Sequence, residues 1–217
     1  MSRGIQTPIS DLRQIRSLME RSRYFIGLSG LSGIGAGTSA LLGVAAVVAY
    51  RAAAGEGFAL VTDDLLAVRN HPWGIAPVPF LLLTATAVLL GALGSGYYFT
   101  DRRVRRMGHT LGDDKTYKLL LNLGIPLAAG GIFCLALVYH AHGGLIGPAT
   151  LVFYGLALIN GSNFVSEKLR VLGYLELGLG LLSLFLIGYG IYCWALGFGV
   201  FHIAYGAWMY TNYDAHE

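Results

Sequence analysis

Long uncharged runs, separated by short clusters of arginine and lysine, set the pattern of this sequence. Residues 24–50 hold no Asp, Glu, Lys or Arg and are bracketed by Arg23 and Arg51; residues 70–100 and 177–213 are likewise uncharged. A surface helix of a soluble protein alternates apolar and polar faces, whereas a helix apolar all round is buried or lies in lipid. Crossing the hydrocarbon core of a bilayer, about 30 Å, takes about 20 apolar residues at a rise of 1.5 Å each. The runs divide into six predicted spans at about 24–50, 76–100, 119–139, 146–165, 171–187 and 191–210. Pro72, Pro77 and Pro79 mark the entry to the second and Pro148 the first turn of the fourth, because a proline without an N–H is tolerated at a helix start. The run 177–213 is too long for one crossing, and Gly188-Tyr189-Gly190 offers the reversal that splits it. The expected fold class is all-α, a polytopic membrane bundle of six helices.

Composition agrees. The chain is 55% hydrophobic and 12% charged, against about 25% charged in soluble domains. The net charge of +3 would suggest nucleic acid in a soluble protein. Here the basic residues sit between apolar runs, so topology explains them and no nucleic-acid partner is expected. Arg3, Arg13, Arg16, Arg21 and Arg23 precede span one. Arg102, Arg103, Arg105, Arg106, Lys115 and Lys118 lie between spans two and three, and Lys168 and Arg170 between spans four and five. The opposite side has only Arg51 and Arg69. The positive-inside rule then places both termini in the cytoplasm, with residues 214–217 as a short tail and a bacterial inner membrane as the expected location. The tetrad Arg102, Arg103, Arg105 and Arg106 is expected to contact anionic lipid headgroups. No cleavable signal is evident, since the first apolar run is far longer than a signal h-region. Residues 1–23 carry Thr7-Pro8 as a helix start, then Ile9, Leu12, Ile15 and Leu18 or Met19 at helical spacing beside arginines. They read as an amphipathic interfacial helix or as a cytosolic extension of span one.

Helices in lipid associate by close packing, which favours small residues. Gly30, Gly33 and Gly37 form such a seam on span one, suited either to packing within the bundle or to a homodimer or membrane partner. Cys134 and Cys193 lie within apolar runs and read as buried thiols.

Polar groups at membrane depth are costly and mark functional candidates. Glu176, His202, Asn122 and Asn160 each fall in the cytoplasmic half of their spans, and Ser29, Ser32 and Tyr205 share that depth. They form one expected pocket, open to the cytoplasm, with Glu176 as a proton- or cation-binding carboxylate and His202 as its partner. Set against this, Glu176 could reach the headgroups and the asparagines could tie helices together. A weaker set on the other side, His140, His142, His71, Asp63 and Asp64, with Glu56 nearby, has the donor types of a transition-metal site but reads first as solvated loop. Asp113-Asp114 is a lone acidic pair. Nucleotide loops, Cys-x-x-Cys and His-Glu-x-x-His are all missing from the sequence, so no catalytic residue and no cofactor is indicated.

Several stretches resemble a family of small bacterial six-span membrane proteins: Met19-Glu20-Arg21-Ser22 with Leu28 to Gly33, Asn122 to Gly131, Pro148 to Gly155, and Gly197 to His202. The resemblance covers most of the chain and implies a whole protein rather than a fragment of a larger transporter. It implies no activity. Three readings follow: a small carrier or channel for a proton, ion or small solute; a non-catalytic subunit, sensor or scaffold acting through helix contacts; and a lipid-modifying membrane enzyme.

Overall fold

The computed structural model describes residues 29–55, 68–106, 114–186 and 188–214. The amphipathic segment 1–23, Glu56, Asp63, Asp64 and the side chains of Asp113, Asp114 and Lys115 lie outside the described residues. Among those described there are helices and turns and no strand.

Among the described residues, six long helices follow one another. Helix α1 spans Gly30–Ala53, α2 Pro77–Arg106, α3 Asp114–Tyr139, α4 Ile146–Gly161 and α5 Glu167–Ser183. Helix α6 occupies residues 190–214 in four pieces: α-helical Gly190–Trp194, a π-helical segment Ala195–Phe201, α-helical His202–Met209 and a second π segment Tyr210–Asp214. Extended Ser29 starts α1, and Arg51 in the last turn faces the negative end of the helix dipole. Pro77 opens α2, while Pro126 lies inside α3, as transmembrane helices tolerate. Gly188, at φ +87°, supplies the left-handed residue that turns the chain from α5 into α6.

Among the described residues, five stretches are long and apolar enough to cross a membrane: Gly30–Ala53, Pro77–Arg106, Tyr117–Tyr139, Gly143–Gly161 and Gly190–Asn212. Helix α5 has 17 residues, about 25 Å at 1.5 Å per residue. It starts and ends four residues before the expected 171–187. Ser166 caps its start, the Oγ accepting from the Lys168 backbone N–H at 3.2 Å, and a turn over Leu184 to Leu186 ends it.

Helices α1, α4, α5 and α6 form the centre. Helix α2 packs on α1 and α3 on α4, so most of their apolar surface points outward. Ile132 is 70% exposed, Ile125 68% and Leu90 65%. Continuous apolar surface on this scale belongs against hydrocarbon or another apolar body. The chain has the architecture of a multi-pass membrane protein.

Glycines bring the central helices together. A Cβ on Gly206 of α6 would stand 2.6 Å from Gly30 O and from Ile34 N of α1. Gly33 faces Gly206, and Gly37 faces Gly199 and Ile203. Helices α4 and α5 meet in the same way, with Gly155 against the backbone of Leu177 and Gly173 against Ile159. The Gly30, Gly33 and Gly37 seam, which the sequence allowed for a second chain, is therefore filled by α6 of the same chain.

Gly206→Leu is expected to separate α1 from α6, at about 1–3 kcal/mol or more. Gly94→Leu, where nothing lies within 4 Å, should stay within about 0.5 kcal/mol. Thermal unfolding of the purified protein in detergent, followed by size-exclusion chromatography, compares the two. Equal loss in both would refute glycine-mediated packing.

Candidate functional site

Glu176 and His202 meet at the centre of the bundle. Glu176 lies midway along α5 and is completely buried. His202 follows the first π segment of α6 and is 5% exposed. His202 Nδ1 stands 3.2 Å from Glu176 Oε1 and 3.1 Å from the carbonyl oxygen of Gly197. On the other edge of the ring, Nε2 is 2.8 Å from the Tyr154 hydroxyl on α4. Three helices thus contribute one polar chain, Glu176–His202–Tyr154.

The local sequence explains how this fits. Gly197 has no side chain where a Cβ would meet Glu176 Oε2 and Leu151, so the α6 backbone can lie against the carboxylate. The π segment runs from Ala195 to Phe201 and ends at the histidine; such widened turns recur at functional positions in helices. Phe198 stacks on the imidazole with centroids 6.0 Å apart and tilts against Tyr154 at 4.9 Å. The rings hold the histidine between Tyr154 and Phe198.

These contacts decide where protons sit. Nδ1 faces a carbonyl oxygen, which only accepts, so Nδ1 carries a hydrogen and the Tyr154 O–H donates to Nε2 in the neutral ring. The 3.2 Å separation is within ion-pair distance, yet neither Glu176 oxygen accepts an aligned hydrogen bond among the described residues. An isolated carboxylate at this depth would cost several kcal/mol. The pair avoids that cost in two net-neutral forms: imidazolium with carboxylate, or imidazole with carboxylic acid. They interconvert by transfer of the Nδ1 proton to Glu176 Oε1, which leaves the hydrogen of the neutral ring on Nε2, the tautomer opposite to the one that Gly197 O favours, with the Tyr154 hydroxyl turned to accept.

The seven residues expected to form one pocket do not all meet. Asn160 donates to the Asn122 carbonyl at 3.0 Å, and Asn122 donates to Lys118 O at 2.7 Å. These residues bridge α3 and α4 at an exposed position. Asn160 is six residues from Tyr154 on α4, about 9 Å along the helix, so the shared depth expected for the asparagines and the Glu176–His202 pair does not hold. Ser32 donates to Ser29 O at 2.5 Å in the first turn of α1, a local bond. Tyr205 is half-buried and packs with Phe201 on the cluster of Leu119, Leu158, Leu169 and Leu172.

Tyr154 was missed. Tyrosines read first as interfacial anchors, but Tyr154 falls in the middle of an uncharged span, far from either end. That position was the available signal.

Elsewhere, no group of three or more His, Cys, Asp or Glu side chains converges among the described residues. His142 Nδ1 approaches the His140 carbonyl at 2.7 Å, and His71 belongs to the loop before α2. Of the basic tetrad, Arg105 pairs with Asp101 at 2.7 Å one turn back. Comparison with protein families, curated proteins and solved structures finds no match for this chain.

Tyr154→Phe should leave Nε2 without its donor and destabilise the fold by about 1–3 kcal/mol. In 15N NMR of histidine-labelled protein the His202 Nε2 signal should move while the helical circular dichroism is unchanged. An unmoved signal would mean that the hydroxyl does not engage the ring.

Proposed function

We propose that this chain is a small six-span membrane carrier or channel in which Glu176, His202 and Tyr154 bind and hand on a proton. The observation that carries the reading is the complete burial of a carboxylate whose nearby polar partner is an imidazole. Such a pair is costly to keep for stability alone, because breaking or unpairing it strands a charge. It suits a site that exchanges one proton between two net-neutral forms. The enclosure of Glu176 corresponds to an occluded state, in which neither side of the membrane reaches the carboxylate. Access would require α6 to move against α5, and the π segment beside His202 is a place where a small change of helical register would do this.

In this reading the helices cross six times, and the face bearing Arg102, Arg103, Arg105 and Arg106 is cytoplasmic together with both ends of the chain. Support comes from the distribution of Lys and Arg alone. The scaffold reading has less support, because the glycine seam proposed for a partner faces α6. The enzyme reading has less support, because among the described residues no group of three or more His, Cys, Asp or Glu side chains converges.

In liposomes containing an internal pH-sensitive dye, the reconstituted protein should dissipate an imposed proton gradient. The near-isosteric Glu176→Gln should slow this at least about tenfold, the scale of 1.4 kcal/mol in a barrier, while eluting as wild type from a sizing column. Wild-type flux no faster than that of empty liposomes, or equal flux in the variant, would refute the assignment. Orientation has its own check. With Cys134 and Cys193 changed to alanine, cysteines at Thr110→Cys and His216→Cys should be labelled from the same side of the membrane. Labelling from opposite sides would overturn the topology.

A further inference from the structure

The buried acid has polar groups on one side and hydrocarbon on the other. Toward Tyr154 its neighbours are the imidazole and, behind it, a hydroxyl. In the other direction, toward the Gly188 turn, stands Leu151, one turn before Tyr154 on α4 and completely buried. The point where a Gly197 Cβ would stand is met both by Glu176 Oε2 and by Leu151 Cδ2, the latter at 2.6 Å, so carboxylate and leucine are neighbours. Leu151 also reaches α5. A Cβ on Gly180, one turn beyond Glu176, would meet the Leu151 Cβ at 2.9 Å and the Val152 backbone N at 2.8 Å. A methyl group has no room at either glycine, and a water molecule needs about as much.

Beyond this layer comes another polar group. Ser183 ends α5, seven residues from Glu176 and so about 10 Å along the same face. It is 2% exposed, and its hydroxyl has no hydrogen-bond partner among the described residues. The antiparallel register that sets Gly173 against Ile159 and Gly180 against Val152 brings Ser183 level with Pro148, which is also completely buried. A buried hydroxyl left unpaired costs about 1–3 kcal/mol. Along this face of α5 the order is therefore carboxylate, leucine layer, hydroxyl.

We infer that Leu151 is the barrier that stops protons from passing between Glu176 and Ser183, and that Ser183 continues the path when the leucine withdraws. The inference deepens the proton-handling reading of Glu176 and rests on it. A proton moves along hydrogen-bonding groups or water, and leucine methyls neither donate nor accept. One side chain of hydrocarbon thus interrupts the path, because a bare charge is very costly there. With Leu151 moved aside, water can enter between two groups that both lack aligned partners. The carboxylic acid then gives its proton to the first water, and that water hands one of its own toward Ser183. The carboxylate left behind regains a proton at Oε1 through His202. The asymmetry assigns the two directions of access to different elements: Tyr154 and His202 on one side, Leu151 and Ser183 on the other.

Proton flux into dye-loaded liposomes tests the barrier. Leu151→Ala should raise flux several-fold above the parent, and the volume-conserving Leu151→Met should not. Adding Glu176→Gln to Leu151→Ala should abolish the increase. Adding Ser183→Ala should cut it several-fold, whereas Ser183→Thr, which keeps the hydroxyl, should preserve it. Leu169→Ala removes an equally buried leucine from α5 on the opposite side of Glu176 and should leave flux at the parent level. Elution from a sizing column checks the fold; should Leu151→Ala fail there, the smaller truncation Leu151→Val takes its place with the same expected direction. No increase on truncating Leu151, an equal increase in Leu169→Ala, or an increase that survives Glu176→Gln would overturn the barrier. An increase indifferent to Ser183→Ala would overturn the role of Ser183. A parent no faster than empty liposomes beside a conducting Leu151→Ala would refute the carrier reading and support the barrier. A conducting parent with an unchanged Leu151→Ala would do the reverse.

Discussion

Hydrocarbon gives helices no reason to separate from lipid and pack on one another, so association depends on how closely their backbones can approach. In this chain that approach is made by missing side chains. Gly206 lies against Gly30 and Gly33, Gly199 faces Gly37 across α1, and Gly155 and Gly173 join α4 to α5. Every other feature of the centre follows from these contacts. They set α6 between α1 and the α4–α5 pair, and they bring Glu176 and His202 within 3.2 Å.

The close approach has an electrostatic counterpart. Gly197 lets the α6 backbone touch the Glu176 carboxylate, which removes water from a group that would otherwise draw it in. The enclosed carboxylate then relies on the imidazole, and the imidazole relies on Tyr154 and the Gly197 carbonyl for its orientation. The π segment belongs to the same arrangement, because it leads directly into the histidine and contains both Gly197 and Gly199. A helix that is locally widened, poor in side chains and packed on a buried acid combines a costly group with a backbone able to change register.

The same helices present a different chemistry to the outside. On the inner sides of α5 and α6 are Glu176 and His202; on their outer sides Lys168 and Trp208 head an apolar groove. Phe201 and Tyr205 line that groove while packing on the central leucine cluster.

The uncharged runs alone determined that this chain is a bundle of long apolar helices, since no arrangement in water could cover so much apolar length with so few charges. The polar residues within those runs singled out Glu176 and His202, because ionisable groups are rare there and their rarity is itself a local signal. Tertiary structure decided which polar groups meet. Linear position gave Asn122, Asn160, Glu176 and His202 a common depth, but α5 starts early at its Ser166 cap, and Asn160, which bridges to Asn122, stands six residues or about 9 Å along α4 from Tyr154, the residue that meets His202. Tyr154 entered because α4 turns its hydroxyl toward α6, a rotation that no periodicity in an all-apolar helix can reveal. The glycine seam was legible as a seam, whereas its partner was not: a surface made of absent side chains carries no address, and only the packed bundle shows that α6 fills it.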